Sequence, residues 1–442
     1  MSKVQIVWFR DLVRWDTEYF TGNHRLESKF KLVDLSEILI PRKERIKPNE
    51  YDGITPIVAK IPFSNPNIEL RKEPKTKMDM YAVYRNDLLV SNINFHQGAV
   101  AICRENKVFA STHYQPYIVN TDNIDLEFLV LVLRQNSYQQ YIGAKKIRGI
   151  KTESNFNFIK TLQIPLPPLE IQQQIVAKIQ SIKAQIKALQ TEEKRLKDEI
   201  ESFIYIALGL EIKEQKQKQK VFVVNFKDLE RWDITYNQGI GAMIQNITKY
   251  NRVKLKDICF INPDVDFKEL IKQNRQVSFV PMEAVSSNGV DFYPKVRKSS
   301  DYKGFTKFQD NDLLWAKITP CMQNKKSVVV KNLKNGFGFG STEFFVLRPR
   351  NKDEVDINFI LYFLRMDYII ENAKLHFKGS AGQQRVPKEF LENLQIPLPP
   401  LEIQQKIINF VESKRDRIKA NQKTIQSLQD SMSSELEYLL IV

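Results

Sequence analysis

The apolar positions of this chain follow two periods, and the alternation between them divides the molecule. From Ile175 an apolar residue returns at every seventh position, at Ile182, Leu189, Leu196 and Phe203, while Ile179, Ile186 and Ile200 fill the alternate heptad position. Val411, Ile418, Ile425, Met432 and Leu439 repeat the rhythm near the end of the chain. Such spacing puts a narrow apolar stripe along one side of a helix. A helix from residue 169 to about residue 208 would reach about 60 Å at about 1.5 Å per residue, and in water its stripe needs a partner. The economical partner is the second heptad segment. The predicted seam comprises Ile175, Ile179, Ile182, Ile186, Leu189 and Leu196 from one helix and Val411, Ile418, Ile425 and Met432 from the other. Lys414, Asn421, Glu193 and Glu435 interrupt it, which fixes register at some cost in stability.

Outside these segments the period shortens. Alternating or β-branched runs at residues 57–61, 88–93, 99–104 and 116–119 predict short strands punctuated by proline and asparagine. Residues 276–280, 313–318, 327–330 and 343–347 predict their counterparts in the second half. Each set leads to a stretch, 126–142 and 357–373, whose apolar residues return every three or four positions as in a helix. Each half therefore reads as a small β-rich α+β domain.

The two halves are copies. LQIPLPPLEIQQ occupies residues 162–173 and, letter for letter, residues 394–405, and a repeat of this kind outranks other sequence signals. Each copy reads as a launcher: proline straightens the leading segment, Pro168 or Pro400 takes the first helical position, and Glu170 or Glu402 favours the helix dipole in the first turn. FRDLVRWD at residues 9–16 matches FKDLERWD at 226–233, and a DLL motif recurs at 87–89 and 312–314. The spacing between matched motifs grows gradually along the chain, as small loop insertions make it.

The predicted fold is α+β, with two β-rich mixed α/β domains in a pseudo-two-fold arrangement, joined by two long antiparallel helices forming a coiled coil. Its parts are a first domain at 1–161, launcher and helix at 162–212, a polar linker at 213–225, a second domain at 226–393, and launcher and helix at 394–442. Within the linker, KEQKQKQK at 213–220 reads as a solvated helix end or a phosphate contact.

Composition narrows the class. The chain has 442 residues, 42% hydrophobic and 27% charged, as in a globular protein of two domains, and no apolar run approaches the roughly 20 residues of a membrane span. Arg10, Asp11 and Arg14 stand where a signal peptide would need an apolar core. Cys103, Cys259 and Cys321 form no CxxC pair, which points away from a disulfide frame or zinc site and towards a reducing cytoplasm. The net charge of +15 suits a polyanionic partner, the bland alternative being a generally basic proteome from an AT-rich genome.

The duplicated launchers with their heptad helices, the RWD boxes and the DLL motifs, in this order, resemble the DNA-specificity subunit of type I restriction-modification systems over essentially the whole chain. The resemblance implies two target recognition domains, each reading one half of a bipartite, asymmetric site in double-stranded DNA, with the helices as a ruler for the gap. It implies partners as well: two methyltransferase subunits, seated near the RWD boxes, and restriction/translocase subunits. Catalysis would then lie outside this chain, which needs no cofactor of its own; S-adenosylmethionine, ATP and Mg belong to the partners. Trp15 and Trp232 of the RWD boxes are expected to pack at the base of each domain, with Arg14 or Arg231 paired to Asp16 or Asp233, or to face a partner.

Candidate DNA contacts follow each DLL strand and precede each launcher. Asn92 and Asn94 in the first copy align with Lys317 and Thr319 in the second. Asparagine can pair bidentately with adenine, and lysine reaches guanine or phosphate; the alternative is an ordinary strand end. Lys145, Lys146, Arg148 and Lys151 parallel Lys378, Gln383, Gln384 and Arg385 in glycine-containing polar turns, where the resemblance places a DNA-facing loop and where backbone amides suit phosphate.

Enzyme motifs fail. GFGFGST at 336–342 lacks the Gly-Lys pair of a phosphate loop and reads as a hairpin turn. Asn65-Pro66 and Asn262-Pro263 lack the following proline and aromatic residue of an amino-methyltransferase, and His24, His96, His113 and His376 form no metal pattern. Two neighbouring readings remain: the specificity subunit of a fused restriction-methyltransferase system, and a coiled-coil scaffold that does not touch DNA.

Overall fold

A computed structural model describes residues 26–73, 76–145, 156–210, 223–229, 232, 248–287, 291–380 and 382–437. The first RWD box with Trp15, the linker run 213–220, the Arg231 and Asp233 pairing, and the candidates Lys146, Arg148 and Lys151 lie outside these residues. The chain forms two compact units, one of residues 1–189 with 423–442 and one of residues 190–422.

In the first unit the launcher segment Gln163–Pro165 is a strand lying antiparallel to Leu32–Asp34. Beside it, an antiparallel sheet runs in the order Leu39–Pro41, Tyr114–Val119, Leu88–Ser91, Val100–Ile102. The strand after Asp87 is buried on both faces because its side chains alternate. Leu88 and Val90 point into the core beneath the helices, and Leu89 joins Val83, Ala101 and Val108 on the opposite side. A second sheet of Arg45–Ile46, Met80–Tyr84 and Lys107–Ser111 covers that opposite side.

The helix expected over 126–142 is two helices, Leu126–Leu133 and Asn136–Lys145. Asp125 caps the first by accepting from the Glu127 and Phe128 amides, as an N-cap carboxylate should. The apolar period survives the break, so Phe128, Leu129, Leu133, Tyr138 and Ile142 all enter one core.

The second unit repeats the plan. Gln395–Pro397 pairs with Arg252–Lys254, and the sheet order is Cys259–Ile261, Phe344–Pro349, Leu313–Ala316, Ser327–Val329. Alternation holds again, with Leu313 and Trp315 facing the helices and Leu314 and Ala316 the other side. Here too the expected helix at 357–373 is two, Ile357–Leu364 and Asp367–Leu375.

The glycine-rich stretch differs from expectation. Phe337–Gly340 is no hairpin turn but an inner strand, parallel to Gln276–Val280 and antiparallel to Thr306–Gln309. A Cβ on Gly338 would overlap the Phe308 ring, and one on Gly340 the Val280 carbonyl. The glycines thus serve close approach, not a turn.

The long helices are Leu169–Leu208 and Leu401–Glu437. Pro168 and Pro400 stand one position before the first helical residue, and their carbonyls accept the opening amide bonds, from Ile171 and Gln172 and from Ile403 and Gln404. In the first unit Ile175 and Ile179 are core residues against which Met432 and Leu436 pack, and Lys178 pairs with Glu435. In the second unit Phe203 stacks on Phe410 with ring centroids 3.9 Å apart. Glu199 meets Lys414 at 2.7 Å and Glu192 meets Asn421 at 3.1 Å. Advancing from Glu192 to Glu199 on one helix thus matches retreating from Asn421 to Lys414 on the other, so these segments run antiparallel. Of the predicted seam residues, Ile175, Ile179, Ile182, Leu196, Val411 and Ile418 are buried, and Ile186, Leu189, Ile425 and Met432 half-buried.

Replacing Gly340 by alanine is expected to cost about 2 kcal/mol or more by overpacking. The urea midpoint, followed through the buried Trp315, should fall with little change of slope. A variant as stable as the parent would show that the strand tolerates a side chain.

Candidate nucleic-acid interface

Each strand end is held by the aspartate of its DLL motif. Asp87 receives two bonds from Arg42, at 2.7 and 2.8 Å, and one from the Tyr84 amide at 2.8 Å. Asp312 receives the same set from Arg348, at 2.7 and 2.8 Å, and from the Gln309 amide at 2.9 Å. Both aspartates are buried, and such paired, bidentate carboxylates are costly to leave alone. The arginines come from different places, Arg42 from just past one sheet strand and Arg348 from within the next. One need is met twice by different routes.

Beyond the first DLL strand, Asn92 is half-buried: its amide nitrogen donates to the Thr112 carbonyl at 3.0 Å, and its side-chain oxygen is buried without a partner. Its backbone N–H donates to His113. Asn94 opens a tight turn, donating to the Ser91 hydroxyl and accepting from the Gln97 and Ala99 amides. In the second copy the Lys317 ammonium lies 5.2 Å from the Phe345 ring centroid, and the Thr319 hydroxyl bonds to Gln323.

In the second unit the two candidate stretches come together. The Thr319 amide donates to the Gln384 carbonyl and the Val386 amide to the Lys317 carbonyl, both at 2.9 Å. Lys378 and Arg385 exchange backbone bonds at 3.0 and 2.9 Å, closing a small hairpin whose Gly379 and Gly382 have positive φ. Arg385 is committed to Glu343 by bonds of 2.8 to 3.1 Å, and that carboxylate raises the guanidinium pKa above its usual value. Arg385 therefore holds the hairpin. Lys378 and Gln383 are exposed on it, and Gln384 is half-buried. In the first unit Lys145 donates to the Thr161 carbonyl at 2.8 Å and sits 4.7 Å from the Tyr141 centroid, bridging a helix end to the launcher.

Sequence reasoning missed two devices. Gln172 is fully buried; its oxygen accepts from the Asp125 amide at 2.9 Å, and its nitrogen donates to the Asn123 and Pro167 carbonyls at 2.8 Å. Gln404 repeats this with the Asp356 amide and the Glu354 and Pro399 carbonyls, at 2.8 to 2.9 Å. Each glutamine binds its long helix to the capped start of the domain helix. The other device is an arginine at the end of that domain helix. Arg134 donates to the carbonyls of Pro62, Phe63, Gly98 and Val100, and Arg365 to those of Ser287, Lys325 and Ser327. Both were signalled by identity at matched positions of the repeat. Trp232 is 87% exposed, so it does not pack at the base of the domain, while the partner-facing alternative is compatible with that exposure.

Among the described residues no group of three or more His, Cys, Asp or Glu side chains could hold a metal ion, and no helix is long and apolar enough to cross a membrane.

Two copies of one domain-and-helix unit, with a common frame and differing loop ends, define a duplicated recognition scaffold. The chain belongs to the type I restriction modification DNA specificity domain family, whose model matches residues 27–202 and 248–430. It is 37% identical over 158 residues to the type I restriction enzyme EcoEI specificity subunit of Escherichia coli, covering 35% of this chain and 26% of that one. The match to the EcoAI specificity subunit has the same reach, so the chain spans about a quarter of the length of these curated relatives. The putative type I restriction enzyme MjaX specificity subunit of Methanocaldococcus jannaschii is 25% identical over 384 residues, 82% of this chain and 80% of that one. A solved chain, from work on complex assembly and conformational transition of the type I R-M system, shares the fold with a TM-score of 0.53 at 17% identity, over 93% of this chain and 98% of that one.

Exchanging Gln404 for methionine strands one amide and two carbonyls, and is expected to destabilise the protein by about 2–4 kcal/mol. Gln383→Ala, on the exposed hairpin, should stay within about 0.5 kcal/mol of the parent. Thermal unfolding of both variants checks this, and equal melting temperatures would contradict the clamp.

Proposed function

We propose that this chain is the DNA-specificity subunit of a type I restriction-modification complex, a protein that recognises and assembles rather than catalyses. The observation that carries the reading is one repeated frame holding different side chains: Asn92 and Asn94 beyond one DLL strand, Lys317 and Thr319 beyond the other. Two such ends suit two different half-sites, hence an asymmetric bipartite target in double-stranded DNA. Exposed Lys378 and Gln383 on a hairpin tied to the second strand end support contact there, in base edges or phosphates. Arg385 contributes as a support of its turn, because its guanidinium is already engaged by Glu343; the Asn92 amide nitrogen is engaged likewise, while its buried side-chain oxygen is not.

In this reading the two long helices form one antiparallel coiled coil, with the recognition domains in pseudo-two-fold relation, and its length sets the gap between half-sites. The antiparallel pairs of the second unit, and within the first unit the packing of Met432 on the core of Ile175 and Ile179, support it. Two methyltransferase subunits and the restriction/translocase subunits are the partners, bringing S-adenosylmethionine, ATP and Mg, and the setting is the cytoplasm.

Assembled with its cognate methyltransferase subunits, the chain is expected to bind a duplex carrying its site at least about 10³-fold more tightly than a scrambled duplex at the same salt. Equal affinities in a fluorescence anisotropy titration would favour the scaffold reading instead. Inserting one helical turn of about four residues into both long helices should lengthen the gap and leave both half-sites intact. An unchanged gap would contradict the ruler.

A further inference from the structure

Both copies carry a pair of like charges for which the recognition surface above has no use. Arg134 and Arg365 spend their guanidinium groups on neutral oxygens. At the matched position of the repeat each long helix carries a second cation: Arg415, which lines one cavity with Arg365, and Lys183, whose ammonium is depressed by burial and by Arg134. Among the described residues Arg415 donates to the Tyr362 hydroxyl alone, at 3.3 Å. Among the described residues none of these four cations makes an ion pair, although carboxylates pair with many other cations of the chain.

The juxtaposition is unfavourable as it stands. Burial and the nearby Arg134 hold the Lys183 ammonium below its usual pKa, and burial with Arg415 pushes Arg365 down to about 10. In the second unit Arg365 and Arg415 line one cavity of about 430 Å³, joined there by Lys194, Lys197 and Lys325. Three acids face the same space. Asp367 is paired with Lys325. Glu201 accepts the Asp367 amide, and burial pushes its pKa up to about 7. Asp198 is the third. Lys325 and Lys197 are paired, with Asp367 and Glu193, whereas Arg365 and Arg415 share the cavity with no carboxylate paired to either among the described residues, and like charges at one site repel. An anion seated between two such cations offsets their mutual repulsion.

We propose that the Arg134–Lys183 and Arg365–Arg415 pairs are phosphate sites, each taking one backbone phosphate of the bound duplex without regard to sequence. This rests on the reading of the chain as a DNA-specificity subunit. Guanidinium and ammonium groups suit a phosphodiester, which needs charge and hydrogen-bond donors and no base edge. The same chemistry could accept free phosphate, and the test separates the two sources.

Full chain assembled with its methyltransferase subunits is titrated by anisotropy with two duplexes, one bearing the site and one scrambled, at several salt concentrations. For Lys183→Gln or Arg415→Gln, the slope of log affinity against log salt should fall by about one on both duplexes, and by about two in the double variant. The ratio between the duplexes should be unchanged, and Arg415→Lys should restore the slope. Parental slopes in variants that melt like the parent would overturn the proposal. So would parental slopes together with a melting-temperature rise by inorganic pyrophosphate that Arg415→Gln abolishes, which would mark a free-phosphate site. Should Arg415→Gln not fold, Lys183→Gln decides alone. If the parent binds both duplexes alike, the specificity reading fails while the slope change still tests the phosphate sites.

Discussion

Two buried amides, Gln172 and Gln404, fix how each long helix leaves its domain. Each satisfies three backbone groups that would otherwise be stranded where a strand, a capped helix and a long helix converge. The launcher strand brings the chain to this point, proline keeps the extended Ile-Pro segment straight, and the proline before the helix costs nothing because an N–H at that position would have no partner within the helix. Once the exit is fixed, the apolar stripe of the helix has a defined direction in which to meet its counterpart. Stacking of Phe203 on Phe410 and the pairing of Glu199 with Lys414 then follow within the second unit.

A second constraint keeps the strand ends separate from the frame. The DLL strand is buried on both faces and its aspartate is held by an arginine fork and a backbone amide, so the strand cannot vary without loss of the core. Its end can vary, because the residues there bond mostly to neighbouring backbone. Asn92 with Thr112, and Thr319 with Gln384, show two solutions to closing the same kind of strand end. A frame of this sort allows one fold to present different side chains in its two copies, which is what the proposed function requires.

Much of this plan was legible in the sequence, for physical reasons. Letter-for-letter repetition located the launchers, heptad spacing located the long helices, and period-two runs located the central strands, because all three patterns are set by burial. What was not legible depended on contacts between distant residues. Phe337–Gly340 looked like a turn since glycine favours turns, yet the glycines admit the Phe308 ring and the Val280 carbonyl. The break at Arg134 and at Arg365 interrupts no apolar period, so nothing in the pattern revealed it. Arg385 reads from sequence as a DNA-contact candidate, whereas Glu343, distant in the chain, engages it, and the approach of Thr319 to Gln384 joins residues far apart in the chain.

The central claim is that each domain reads one half of a two-part site. Long-read methylation mapping tests it most directly, using DNA from cells that express the chain with its cognate methyltransferase subunit and from cells that express that subunit alone. A gapped, asymmetric motif should be modified only when the chain is present, and replacing residues 17–161 by those of another family member should change one half of that motif. No chain-dependent motif, or a motif whose two halves both change with that replacement, would contradict the account.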